Sequence, residues 1–143
     1  MSEQTYSNHT RWFPLFHFFL MPLLVIHFLC HLVRLFMAPS WERGFWTLFA
    51  FVIVLIPLVA RLGAMRVQDR VIRLEERLRY REVLSQELAE RSRSLRLSQI
   101  IALRFASDEE LPGLVERTLN GEFEKTKDIK LAIKNWRGDN LRV

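Results

Sequence analysis

Apolar positions along this chain fall into two solid blocks and then give way to a periodic pattern. The first block, Trp12–Phe36, reads WFPLFHFFLMPLLVIHFLCHLVRLF, and the second, Phe45–Leu62, carries no charge before Arg61. From Arg61 to about Leu84 the apolar residues instead recur at Val67, Val71, Leu74 and Leu78. That spacing of 4, 3 and 4 is the coiled-coil period, held here for less than two heptads. Shorter amphipathic stretches follow. The pattern therefore predicts helix throughout: a two-helix hairpin, a second helix that continues past its apolar part, and a small helical region at the C-terminal end.

Both blocks are long enough to span a bilayer. The first would measure about 37 Å as a helix, against a hydrocarbon core that needs about 20 residues. Trp12 suits an interfacial anchor. Pro14 is tolerable in a first turn, whereas Pro22 is expected to kink the helix and free the carbonyl near Phe18. The block is longer than a signal-peptide apolar region and has no small-x-small cleavage site, so it is read as a retained span. In the second block Pro57 predicts another kink, and Arg61 can snorkel to the interface. The MAPSWERG segment between them holds turn residues and an interfacial Trp41. The expected divisions are a tail at 1–11, spans at 12–36 and 45–65, a loop at 37–44, a basic juxtamembrane helix at 66–97 and a helical region at 98–143.

Charge sets the expected orientation. The net charge is +5, and between Arg61 and Arg81 seven arginines face three acidic residues. The short loop between the blocks holds only Glu42 and Arg43. By the positive-inside rule the loop faces outward and both termini face the cytoplasm, in a multi-pass membrane protein. Beside a span, the arginines Arg61, Arg66, Arg70, Arg73 and Arg77 are read as contacts for anionic lipid headgroups rather than for nucleic acid. The single cysteine, Cys30, lies inside the first block, so neither an intrachain disulfide nor a cysteine zinc site is available.

The polar C-terminal part predicts three short helices. One covers Ser98–Phe105. Another opens with Ser107 as N-cap and Glu110 reaching back, and stops before Gly121. The last is capped by Thr126 and runs to about Asn135, with Ile129, Leu131 and Ile133 as apolar contacts. So small a region forms a marginal core alone, which favours docking on the extended second helix or on another subunit.

Three stretches are familiar. MRVQDRVIRLEERLR at Met65–Arg79, IALRFASDEELP at Ile101–Pro112 and IKNWRGDNLRV at Ile133–Val143 resemble the signatures of a family of small bacterial membrane proteins classed as a domain of unknown function. The resemblance covers essentially the whole chain. It implies a two-span inner-membrane protein, and it supplies no activity and no catalytic residues.

Candidate chemistry is sparse. At 100° per residue from His17, His31 falls at about −40°, His27 at about −80° and Arg34 at about −100°, so these polar residues share one arc of the first span. They are read first as hydrogen-bonding groups at a helix–helix interface, and otherwise as lining a proton or cation path or binding a metal or haem between subunits. Asp108, Glu109 and Glu110 read as charges suited to a helix N-terminus rather than an acid–base pair. Ser92, Ser94 and Ser98 lack an accompanying base, and the five glycines form no phosphate loop. The expectation is an all-α membrane protein without enzymatic activity or cofactor. It would act as an accessory, scaffold or assembly subunit, as a homo-oligomer or beside a partner membrane protein. The alternative is a homo-oligomeric ion or proton conduit lined by the histidines.

Overall fold

A computed structural model describes residues 13–138. The N-terminal tail, Arg11 and Trp12 at one end and the final residues of the terminal motif at the other lie outside the described residues. The described chain is helical, and its only β feature is an isolated antiparallel bridge between Ala106 and Trp136. A π-helical segment, Leu15–Leu20, leads directly into α1, Met21–Met37. Then come α2, Trp41–Val83; α3, Gln86–Arg91; a 3₁₀ turn, Ser92–Ser94; α4, Leu97–Leu103; α5, Leu111–Leu119; and α6, Thr126–Ala132. The chain divides into two compact units, which meet between Arg66 and Val67 within α2.

The first unit holds the helical stretch Leu15–Met37 and the apolar part of α2. Both helices are long and apolar enough to cross a membrane. Pro22 is accommodated differently from the simple kink expected. The Met21 N–H reaches back five residues to the Phe16 carbonyl, and Pro22, which has no N–H, follows at once. The change from π to α register thus falls where a backbone donor is missing anyway. Pro57 lies inside α2 without ending it. The connection between α1 and α2 is only Ala38–Ser40; Trp41, Glu42, Arg43 and Gly44, expected in the loop, form the first turn of α2. Ser40 caps that turn by accepting from the Arg43 N–H at 3.2 Å.

The second unit packs the short helices on the end of α2. Its core contains Tyr80 from α2 and Leu84 just after it, Ile100, Ala102 and Leu103 from α4, Phe105 and Ala106, Leu111, Leu114 and Val115 from α5, and Ile129 and Ile133. Leu131 was expected among the apolar contacts but is exposed. It stands two residues from Ile129, which is about 200° around a helix and so on the opposite face.

Helix ends show where local signals prevail. Gly121 takes φ +78°, the Gly121 N–H meets the Thr118 carbonyl and the Glu122 N–H meets the Arg117 carbonyl. This closes α5 as expected, in the pattern that needs a left-handed residue. Ser107 caps the leading turn as expected, its hydroxyl accepting from the Glu110 N–H at 3.4 Å, but the regular helix of α5 starts later than that cap implied. The Leu111 N–H bonds the Ser107 carbonyl, but Pro112 cannot donate to the next one, and the regular helix begins only at Leu111. α6 begins one residue earlier than expected: Lys125 holds the N-cap position, Thr126 is already helical, and Asp128 accepts from the Lys125 N–H at 3.1 Å.

Candidate functional site

The densest polar arrangement among the described residues centres on Arg79. In α2, Ile72, Glu76 and Arg79 stand at i, i+4 and i+7, with Tyr80 beside them, and all four are buried. That face turns into the core of the second unit and carries Arg79 with it. The guanidinium donates from Nε to Asp108 at 2.7 Å, from one terminal nitrogen to the Ala106 carbonyl at 2.7 Å, and from the other to Glu76 at 3.3 Å and the Arg104 carbonyl at 3.4 Å. Arg104 is the C-cap of α4. Arg79 therefore satisfies carbonyls that the end of α4 leaves open and places a cation there, as the helix dipole favours.

A second clasp adjoins it. Glu110 does not reach back to cap its own helix. Its carboxylate accepts from the Lys134 and Asn135 N–H groups, at 3.1 and 3.2 Å. The Ser107 N–H donates to the Asn135 carbonyl, and the Arg137 N–H to the Phe105 carbonyl at 2.7 Å. These bonds explain why α6 ends at Ala132 rather than near Asn135: the following amides are engaged across the fold. Phe105 stacks on Trp136 with ring centroids 5.0 Å apart, and the Arg104 guanidinium lies 4.5 Å over the Phe105 ring. Three stretches far apart in sequence, around Arg79, around Phe105–Glu110 and around Lys134–Arg137, thus meet at one junction.

Burial dominates the electrostatics here. It raises Glu76 above the ordinary carboxylate value of 4.5, against the opposing pull of Arg79, Arg137 and Arg104. Burial also raises Tyr80 strongly, with the charge of Glu76 adding to it. The Tyr80 hydroxyl is buried and finds no hydrogen-bond partner among the described residues. Chemically the junction can hold chain segments together and exchange a proton at Glu76. It presents no nucleophile paired with a base.

In the first unit, His27 and His31 stack edge to face with ring centroids 4.7 Å apart. His17 lies within the π segment, where its Nδ1 is 3.0 Å from the Phe13 carbonyl. A π segment turns less per residue than an α-helix, and one inserted residue displaces the preceding face by up to about 100°. The single arc expected for His17, His27, His31 and Arg34 assumed uniform α geometry, which the π segment around His17 does not have. The α1–α2 contact is made largely by other residues. The Thr47 hydroxyl lies 3.2 Å from the His31 carbonyl and 2.7 Å from the Arg43 carbonyl. Phe28 packs on Phe51, and Ala50 is buried. Arg43 donates to the Ala38 and Arg34 carbonyls, at 2.5 and 3.3 Å, and so caps the C-terminal end of α1. His31, Arg34, Glu42, Arg43 and Trp46 line an open cleft of about 320 Å³.

Arg70, Arg73 and Arg77 line a shallow groove with Val67, Val71 and Leu74, while Arg61 is half-buried and Arg66 exposed. The i, i+4 pairs that the spacing offers are not made among the described residues. Arg79 turns to Glu76 and Asp108 instead of Glu75, and Asp69 forms no ion pair with Arg73. Sequence reasoning missed the roles of Arg79, Glu110 and Arg43. The signal for Arg79 was present in the spacing of Ile72, Glu76 and Arg79, a second face on the basic helix. Among the described residues no group of three or more His, Cys, Asp and Glu side chains could hold a metal ion.

A family model described as a family of unknown function, DUF6526, matches residues 1–143. No curated protein and no solved structure matches the chain.

Proposed function

Given that the chain belongs to DUF6526, a family of unknown function, we propose a structural role: an accessory, scaffold or assembly subunit that anchors a small helical unit at a membrane and offers it to a partner. One observation carries this reading. The apolar span and the face bearing Ile72, Glu76, Arg79 and Tyr80 belong to a single 43-residue helix. Such a helix is about 65 Å long, roughly twice the hydrocarbon thickness. The apolar span and part of the second unit's core are thus drawn from one helix. The polar chemistry supports the same reading, because Arg79 and Glu110 spend their hydrogen bonds on the chain's own backbone.

In this reading the hairpin spans a bacterial inner membrane, with the Ala38–Ser40 turn outside and both termini in the cytoplasm. Arg61, Arg66 and Arg73 meet anionic headgroups, and Arg70 and Arg77 add to the positive flank. The test is the composition of the complex gently extracted from native membranes. A different protein at fixed stoichiometry is the expected result. A complex of this chain alone would overturn the accessory role.

The rival reading is a conduit. The His27–His31 ring pair inside a candidate span favours it. The π segment around His17 interrupts the uniform helix that a continuous line of three imidazoles assumes. A conduit requires liposome flux that changes near the histidine range of about pH 6–7 and is lost on replacing His27 and His31 by Ala; unchanged flux in that variant rules it out.

A further inference from the structure

The apolar residues at coiled-coil spacing are not the ones that face the core. Val67, Val71, Leu74 and Leu78 are 60%, 47%, 61% and 52% exposed. On a helical projection their stripe lies roughly 150° around α2 from Ile72, Glu76, Arg79 and Tyr80. The second unit therefore occupies one face of the helix and leaves the heptad face open. Exposed Val and Leu at this spacing, on a helix already supported from behind, have the form of half an interface.

The flanks of the stripe identify its occupant. With Val71 and Leu78 at a and Val67 and Leu74 at d, the g positions are Arg70 and Arg77, and the e positions are Glu75 and Glu82. One edge is cationic and the other anionic. All four side chains are exposed, and among the described residues none of them is in an ion pair. In a parallel two-stranded coiled coil each g residue faces the e residue five positions on in the other helix. That register places Arg70 against the partner's Glu75 and Arg77 against the partner's Glu82, and each pair recurs by two-fold symmetry. An anionic lipid surface would meet both glutamates on the same stripe, which disfavours it as the occupant. At the centre of the stripe Val71 at a and Leu74 at d make the combination that favours two strands, while the outer positions, Val67 at d and Leu78 at a, are reversed.

We propose that Val67, Val71, Leu74 and Leu78 form the seam of a parallel coiled coil with a second copy of this chain, with Arg70–Glu75 and Arg77–Glu82 pairs across it. The proposal takes the shared orientation of the two copies from the membrane reading above. It does not require the accessory role, since a dimer can serve a scaffold or stand alone.

Cysteine crosslinking of the full chain in native membranes tests it. In a Cys30→Ser background, single cysteines replace Val71, Leu74 and Leu78 on the seam, and Arg66 and Arg73 off it. Mild oxidation is expected to give disulfide dimers several-fold more abundantly at the three seam positions. Equal yields at all five positions, or none at the seam, would overturn the proposal; the latter is the outcome if lipid covers the stripe. Charge reversal supplies the second arm. Arg70→Glu with Arg77→Glu is expected to reduce crosslinking at Leu74→Cys several-fold, and adding Glu75→Arg and Glu82→Arg to restore it. Loss without restoration would refute the pairing. Copy number in the extracted complex separates this idea from the accessory role: a heterologous complex with one copy of the chain removes the coiled coil and keeps the accessory role, and a homodimer does the reverse.

Discussion

The two units of this molecule obey opposite rules. Between residues 13 and 66 the large apolar side chains point outward: Phe18, Phe19, Leu23, Ile26, Leu48 and Ile56 are all exposed, and the residues buried there are the small Thr47 and Ala50, beside a Phe28–Phe51 ring contact. Between residues 67 and 138 a set of apolar residues packs inward around Phe105, leaving Leu131 and the Val67–Leu78 stripe outside, and a buried arginine lies at the boundary of that core. An all-round apolar helix suits a solvent of hydrocarbon, where small residues let backbones approach. An inward core with charge outside suits water. A single helix, α2, passes from one regime to the other, and the change comes within two turns after Arg61. Continuous secondary structure therefore does not imply a continuous environment.

Removing Arg79 breaks the water-adapted half most severely. Arg79→Ala leaves Glu76 buried without its cation and the Ala106 and Arg104 carbonyls without a donor. The expected loss is about 3 kcal/mol, at the low end for a buried pair because Asp108 is mostly exposed and water already screens it. Hydrogen exchange on the detergent-purified chain reads this out: amides of α4 and α5 should exchange faster while those of α1 keep their protection. Equal loss in both units would mean that the regimes are not separable.

Glu110→Ala tests the second clasp. Two backbone N–H groups lose their acceptor, at a cost of about 1–3 kcal/mol. The local signature is faster exchange at Lys134 and Asn135 with little change at Arg79. In the other half, Arg43→Ala uncaps α1 at an expected cost of about 1 kcal/mol, seen as faster exchange near the Ala38–Ser40 turn and nowhere in the second unit.

Glu76 sharpens the comparison through pH. Its folded value lies above the ordinary one, so the folded state holds the proton more tightly than the unfolded state. The resulting stabilisation is complete below the ordinary value of 4.5 and is lost as pH rises through the folded value. The second unit should therefore become less stable on going from mildly acidic to neutral buffer, and Glu76→Gln should flatten that dependence. A stability that instead rises through this window in the wild type but not in the Gln variant would show that the Arg79 pairing outweighs burial. The smallest effect is expected from Tyr80→Phe, which removes a buried hydroxyl without a partner among the described residues and should be neutral or stabilising by up to about 1 kcal/mol in thermal unfolding.

Much of this architecture was legible in the order of residues. The two apolar blocks, the unbroken run of helix through Gly63 to Val83 and the stop at Gly121 each depend on a few adjacent side chains or on one backbone dihedral. Length, periodicity and a glycine that tolerates positive φ are local properties, so sequence determined them. The heptad stripe was equally visible, but its spacing alone could not say whether it faced the core or stood open.

Tertiary structure decided the rest, because the deciding partners lie far away in the chain. Asp108 and Glu110 have the composition of a helix N-terminus, and a local reading assigns them there. They serve instead as acceptors for Arg79, 29 residues earlier, and for the Lys134 and Asn135 amides, 24 and 25 residues later. For Asp108, a charge-assisted hydrogen bond to the buried Arg79 outweighs a solvent-exposed capping contact. The same reasoning places Arg79 inward and Glu75 outward, although both carry full charges on one helix. Which face of α2 became core was set by where the short helices could pack against it, and that choice left Val67, Val71, Leu74 and Leu78 facing outward.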